Sequence, residues 1–176
     1  MENTLALIEQ IIEEHRQIFQ SLDMLERETN DLSAIAQLQE GSTKSYFVPS
    51  SLSDQGKGLE QWQRTIKTVE TGIDRHFRRE ETALMAAVEQ QADNELESGF
   101  RALLDEHGDL RRRVAKLRQD AADMASGGPR IDVWEKDGWG MRVNLEQLKK
   151  RIEAHAAGEM ELLTKFRDAL RKAAGS

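Results

Sequence analysis

The sequence predicts an all-α protein: an antiparallel up-down-up-down four-helix bundle with a long loop between its first two helices. Three observations carry this. Apolar residues recur at spacings of three and four in four long stretches, the period of a helix with one buried stripe. Only two prolines occur in 176 residues, and β-branched runs are scarce. Charged residues make up 32% and hydrophobic ones 38%, a balance that suits amphipathic helices around one core rather than a sheet. The length suits a single domain over residues 1–176.

The first helix is read from Leu5, Ile8, Ile12, His15, Phe19 and Leu22. The second follows Leu59, Trp62, Ile66, Val69, Ile73, His76, Glu80 and Leu84. The third follows Leu96, Phe100, Leu103, His107, Leu110, Val114 and Leu117, with Asn94 as its cap and Glu97 completing a capping box. Gly127, Gly128 and Pro129 end it. The fourth follows Met141, Leu145, Leu148, Ile152, His155, Glu159, Leu162 and Phe166. Gly138 and Gly140 blur its start, and Trp134 and Trp139 are expected to pack over that end. Residues 40–58, rich in Ser and Gly and containing Pro49, read as the long loop. A loop of that length in a compact domain is often functional or disordered, and this one holds Tyr46, the only tyrosine.

Charge and composition exclude several function classes. The 25 basic and 32 acidic residues give a formal charge of −7, so no electrostatic footprint for nucleic acid is expected. The short basic run Arg111–Arg113 reads as a solvated helix face. Without cysteine there is no disulfide, thiolate ligand or thiol nucleophile. No stretch is long and apolar enough to span a membrane, and the first residues lack the charged and apolar regions of a signal peptide. A cytoplasmic location is the resulting expectation.

The four histidines carry the chemistry. His15, His76, His107 and His155 each sit on the apolar stripe of a different helix. If the stripe takes about three positions in seven, four randomly placed histidines would all land inside roughly 3% of the time. Two of them are followed four residues later by a glutamate on the same stripe, His76/Glu80 and His155/Glu159. A spacing of four places both groups on one helix face, a turn apart. A buried, unpaired carboxylate costs several kcal/mol, and no Lys or Arg occupies a stripe position. A cation is the simplest partner. The nitrogen and oxygen donors suit iron or manganese and, less well, zinc. Six donors could serve one octahedral ion or two ions; the readiness of carboxylates to bridge favours two. Two divalent ions against two glutamates leave an excess of +2, which favours an oxo or hydroxo bridge, or a phenolate. Tyr46 is therefore a candidate additional ligand. Competing motifs are absent. Ile12, Ile73, Leu104 and Ile152 stand three residues before the histidines, so the Glu-x-x-His pattern of ferritin-like proteins is missing, as are the zincin and phosphate-loop motifs.

The run His76-Phe77-Arg78-Arg79-Glu80-Glu81 resembles the H-F-x-x-E-E signature of hemerythrin-like (HHE cation-binding) proteins, and His15, His107 and His155-x-x-x-Glu159 fall in the expected helices and order. The resemblance covers essentially the whole chain. It implies a non-haem di-iron centre, two oxo- or hydroxo-bridged iron ions held by His15, His76, Glu80, His107, His155 and Glu159. Oxygen-carrying hemerythrins have H-x-x-x-H on helix three and H-x-x-x-x-D on helix four. Here Arg111 stands at the second histidine, Met160 at the aspartate, and the acid is Glu159. The four-His, two-Glu set looks more like proteins that repair iron centres and bacterial hemerythrin-like proteins linked to nitric oxide or peroxide stress. The resemblance thus implies binding of, or reaction with, O2, NO or peroxide, including di-iron enzymatic turnover of peroxide or nitric oxide. The alternatives are a labile iron store or donor and an O2 carrier or sensor.

Overall fold

The computed structural model of the protein describes residues 2–40, 52–126 and 131–174. Tyr46, Gly127, Gly128, Pro129 and the side chain of Trp134 lie outside the described residues. The described residues are helical and contain no strand, as the composition and the helical period require. The elements are α1 (Glu2–Glu40), α2 (Leu52–Arg79), a π-helical turn (Glu80–Leu84), α3 (Met85–Gln91), α4 (Asn94–Leu104), α5 (His107–Ser126) and α6 (Ile131–Ala174).

Several expected boundaries move. Helix α1 runs on to Glu40 and α2 begins at Leu52, so residue 40 and residues 52–58, expected in the long loop, are helical, and the rest of that expected loop lies outside the described residues. Once a helix is nucleated each added residue gains a hydrogen bond, which carries α2 back through Gly58 and Gly56 despite their poor propensity. The second expected helix contains a π turn. Its stripe steps by four from His76 to Glu80, Leu84 and Val88, and at 3.6 residues per turn each such step drifts by about 40°. The wider π turn absorbs the drift, and Glu80, Leu84 and Val88 are all buried. The third expected helix is two helices, α4 and α5, broken at Asp105–Glu106. There the backbone tightens: Glu106 N–H donates to the Leu103 carbonyl at 3.0 Å and Asp109 N–H to the Glu106 carbonyl at 3.0 Å. The cap of α4 is Asp93 rather than Asn94. Asp93 is extended (φ −81°, ψ 171°) and its carboxylate accepts from Leu96 N–H at 2.9 Å.

The chain divides into two compact units. The first comprises Met1–Phe19, Thr71–Arg111 and Lys150–Ser176. Its apolar core includes Ile8, Ile11, Leu84, Val88, Phe100 and Phe166, with Phe100 and Phe166 edge to face at 6.3 Å. Ile11 and Leu163 are buried where the stripe pattern placed Ile12 and Leu162, which are only partly buried. The second unit comprises Gln20–Glu70 and Arg112–Lys149. Leu22, Leu25, Trp62, Leu117 and Leu148 are buried in it. The one polar atom of the Trp62 side chain is satisfied, donating from Nε1 to Thr29 Oγ1 at 2.7 Å, and Thr29 donates in turn to the Leu25 carbonyl at 2.7 Å. Trp139, expected to pack, is 69% exposed. No described helix is long and apolar enough to cross a membrane.

Candidate metal centre

All six donors singled out from the sequence lie in the first unit. Helix α1 supplies His15, and the end of α2 supplies His76. Glu80 opens the π turn, His107 opens α5, and α6 contributes His155 and Glu159. The break at Asp105–Glu106 sets His107 at the start of a fresh helix, so its direction is independent of α4. All six side chains are buried, at 1–5% exposure.

The donors converge in two groups, His15, His76, Glu80 and Glu159 in one and Glu80, His107 and His155 in the other, with the atoms of each group within 4.8 Å of one another. Glu80 belongs to both. Its Oε1 lies 2.6 Å from His76 Nε2 and its Oε2 lies 2.9 Å from His107 Nε2. Glu159 Oε2 lies 2.9 Å from His15 Nε2 and 3.8 Å from His76 Nε2. The imidazoles pair accordingly, His15 with His76 at 4.6 Å and His107 with His155 at 5.1 Å between ring centres. Close as they are, the Nε2 atoms of all four histidines, Glu80 Oε1 and both Glu159 oxygens have no hydrogen-bond partner among the described residues. Buried polar atoms are seldom left so. Nitrogen and oxygen donors crowded into one buried space without hydrogen-bond partners are what a cation satisfies, so the residues fit a metal site. A small pocket lined by Leu84, Met85, Phe100 and Leu103 reaches the carboxylates of Glu80 and Glu159.

A second layer of carboxylates, missed from the sequence, stands behind the histidines. His76 Nδ1 lies 3.3 Å from Glu14 Oε2, His107 Nδ1 lies 2.8 Å from Glu81 Oε1, and His155 Nδ1 lies 3.1 Å from Glu106 Oε2. A carboxylate there holds the proton on Nδ1 and leaves Nε2 bare for a metal. His15 Nδ1 has no such partner among the described residues. Each support is next in sequence to a donor on a different element: Glu14 to His15, Glu81 to Glu80, Glu106 to His107. Adjacent residues in a helix point about 100° apart, so a neighbour of an inward donor faces the adjoining element's histidine. An acid beside three of the six donors was the available signal. Arg111, four residues after His107, does not join the donors; it pairs with Glu81 Oε1 at 2.7 Å.

Burial governs protonation. It pushes His76 and His155 below the usual imidazole range, which keeps them neutral and able to ligate. Burial, with Glu159 alongside, raises Glu80 to about 8. Burial acts the same way on Glu159, but the neighbouring His15 and His76 outweigh it and hold that carboxyl below its ordinary value. The hydrogen bonds from Arg111 hold Glu81 low, so it remains an anionic acceptor.

The family model of the hemerythrin HHE cation-binding domain matches residues 6–166. The chain belongs to the hemerythrin HHE cation-binding family. The match spans all six donors and their three supporting carboxylates, so the buried groups of this HHE domain lie in the part of the chain that defines the family. No curated protein and no solved structure matches this HHE chain.

Proposed function

We propose that this HHE protein is a cytoplasmic non-haem di-iron protein that binds or reacts with a small oxidant, O2, NO or peroxide, in oxidative or nitrosative stress. The observation that carries the reading is Glu80, which stands in both buried donor groups. A carboxylate shared between two sets of imidazoles is what a two-metal centre requires, and an all-nitrogen-and-oxygen donor set favours iron or manganese. The proposed ligands are His15, His76 and Glu159 with Glu80 on one side, and His107 and His155 with Glu80 on the other. The proposed setting is one domain over 1–176 with its helices antiparallel, up-down-up-down, and Tyr46 as a candidate additional ligand.

Bound iron would supply redox electrons and open coordination positions. The chain's own part is positional. Glu14, Glu81 and Glu106 fix three imidazoles with Nε2 inward. Glu80 surrenders the proton it holds below about pH 8 when a cation arrives. The apolar walls at Leu84, Phe100 and Leu103 favour entry of a small neutral molecule over water. Metal quantitation with Mössbauer spectroscopy on the isolated protein tests nuclearity, and spectra of the anaerobically reduced protein with O2, NO and peroxide test reactivity. Two irons per chain and a new absorption band with at least one of the three are expected; no iron, or no band with any of them, sinks the reading.

A labile iron store or donor is the second reading. It is favoured by His15, the one donor histidine whose Nδ1 has no partner among the described residues. Complete transfer of iron to a weak chelator would select it, and tight retention would remove it.

A further inference from the structure

Two of the supporting carboxylates are themselves gripped by arginine, and the two serve different donor groups. Glu14 Oε2 faces His76 Nδ1. Its other oxygen, Oε1, accepts from Arg79 and lies 3.8 Å from Arg75 Nε. Glu81 Oε1 faces His107 Nδ1 and also accepts from Arg111 at 2.7 Å, while its Oε2 accepts from the same guanidinium at 3.2 Å. Arg111 also reaches Asp74 at 3.4 Å and lies 5.2 Å from the Phe77 ring centre. Phe77 in turn stacks on His107 at 3.8 Å and 5°. Arg111, Glu81, Phe77 and His107 thus close a loop of contacts around one imidazole.

We propose that Arg79 and Arg111 are positioning residues, one for each metal position, acting through Glu14 on His76 and through Glu81 on His107. The proposal rests on the two-metal reading above. His76 belongs to the group with His15 and Glu159, and His107 to the group with His155, so each group has one imidazole clamped by an Arg–Glu pair. Arg111 gives Glu81 two N–H···O bonds, which fix a carboxylate in orientation as well as in place; Arg79 gives Glu14 one such bond, with Arg75 beside the same oxygen. A fixed carboxylate fixes the imidazole tautomer and ring angle. The cation also offsets the carboxylate's charge, so each support stands beside the site without adding net negative charge. The other histidines of the two groups are His15, with no carboxylate on Nδ1 among the described residues, and His155, whose carboxylate Glu106 is 54% exposed.

The test uses Arg79→Gln and Arg111→Gln in the full chain, with Arg111→Lys as a milder variant and Arg101→Gln, a surface pair with Glu89 and Glu97, as control. Nitrogen-15 spectra of the histidine side chains in metal-free protein report tautomers directly. Wild type should show His76 and His107 with the proton on Nδ1. Arg111→Gln should release His107 to a tautomer mixture and leave His76 unchanged, and Arg79→Gln should do the converse. Arg111→Lys, a point charge without the fork, should fall between. In iron(II)-loaded protein challenged with a coloured iron(II) chelator, each Gln variant should speed release of one of the two equivalents by about tenfold, the low end of such effects. Unchanged tautomers, or both histidines responding to either variant, would overturn the proposal. If wild type takes up no iron, the two-metal reading fails while the imidazole spectra still judge the clamps. If Arg111→Gln does not fold, Arg111→Lys and Arg79→Gln decide alone.

Discussion

Glu80 answers to both donor groups, so its replacement separates a shared centre from two independent ones. Glu80→Gln keeps the size and one acceptor but removes the charge that offsets two cations. The expected outcome is loss of at least one metal equivalent per chain, measured by elemental analysis; full retention of two would remove Glu80 from the centre. The same residue sets a pH dependence. Its folded carboxyl stands at about 8 against an ordinary 4.5, so between those values the folded metal-free chain holds a proton that the unfolded chain has lost. Stability then falls as pH rises. His76 and His155, lowered from 6.5, act in the opposite direction below 6.5. The window to measure is therefore pH 6.5 to about 8, above the range in which His76 and His155 oppose the Glu80 effect. There the metal-free protein should lose at most about 1.4 kcal/mol per pH unit, read from denaturant midpoints. Metal uptake in that window should release a proton from Glu80, measured in weakly buffered solution, and apparent affinity should climb with pH until about 8.

At the scale of elements, the positions of the donors follow from two irregularities. The π turn keeps Glu80 and Leu84 on one face while Glu81 turns toward His107. The break between α4 and α5 frees His107 from the direction of α4. Helix α4 is separately anchored by its cap. Asp93→Ala removes the acceptor for Leu96 N–H and should cost about 1 kcal/mol, seen as a lower denaturant midpoint at unchanged slope. These elements also show where sequence reading stops. The stripe through α2 and the π turn was legible residue by residue, from Leu59 to Leu84, because all of its members are buried on one face. On α1 the stripe was misplaced by one residue at Ile11 and Ile12, since both are apolar and the period tolerates either. The break at Asp105–Glu106 was not legible, because Leu103, His107 and Leu110 keep the spacing of an unbroken helix.

For the whole molecule, the two compact units differ in what fills them. The first buries the mostly unpartnered donor atoms of His15, His76, Glu80, His107, His155 and Glu159, whereas the second buries Trp62, Leu117 and Leu148 with the Trp62 N–H satisfied. Metal binding stabilises what it binds by mass action, and local opening follows local stability. Removing metal should therefore raise amide hydrogen exchange at residues 76–84, 107–110 and 152–160 while amides around Trp62 and Leu117 change little. Uniform loss of protection across both units would contradict this. The burial of the six candidate donors was legible because each histidine and glutamate interrupts an apolar stripe. Glu14, Glu81 and Glu106 were not, because a single-chain pattern says which way a residue faces on its own helix but not whose histidine it meets.

The stack of Phe77 on His107 has a thermodynamic consequence. A ring held on one face by an aromatic and at Nδ1 by a carboxylate has already lost its rotational freedom when the chain folds, a loss worth up to about 1–2 kcal/mol for a side chain. His15, with nothing on Nδ1 among the described residues, surrenders more of its freedom to the ion itself. Calorimetric titration should then resolve two binding events of different entropy, the less unfavourable one belonging to the side that is ordered before any ion arrives.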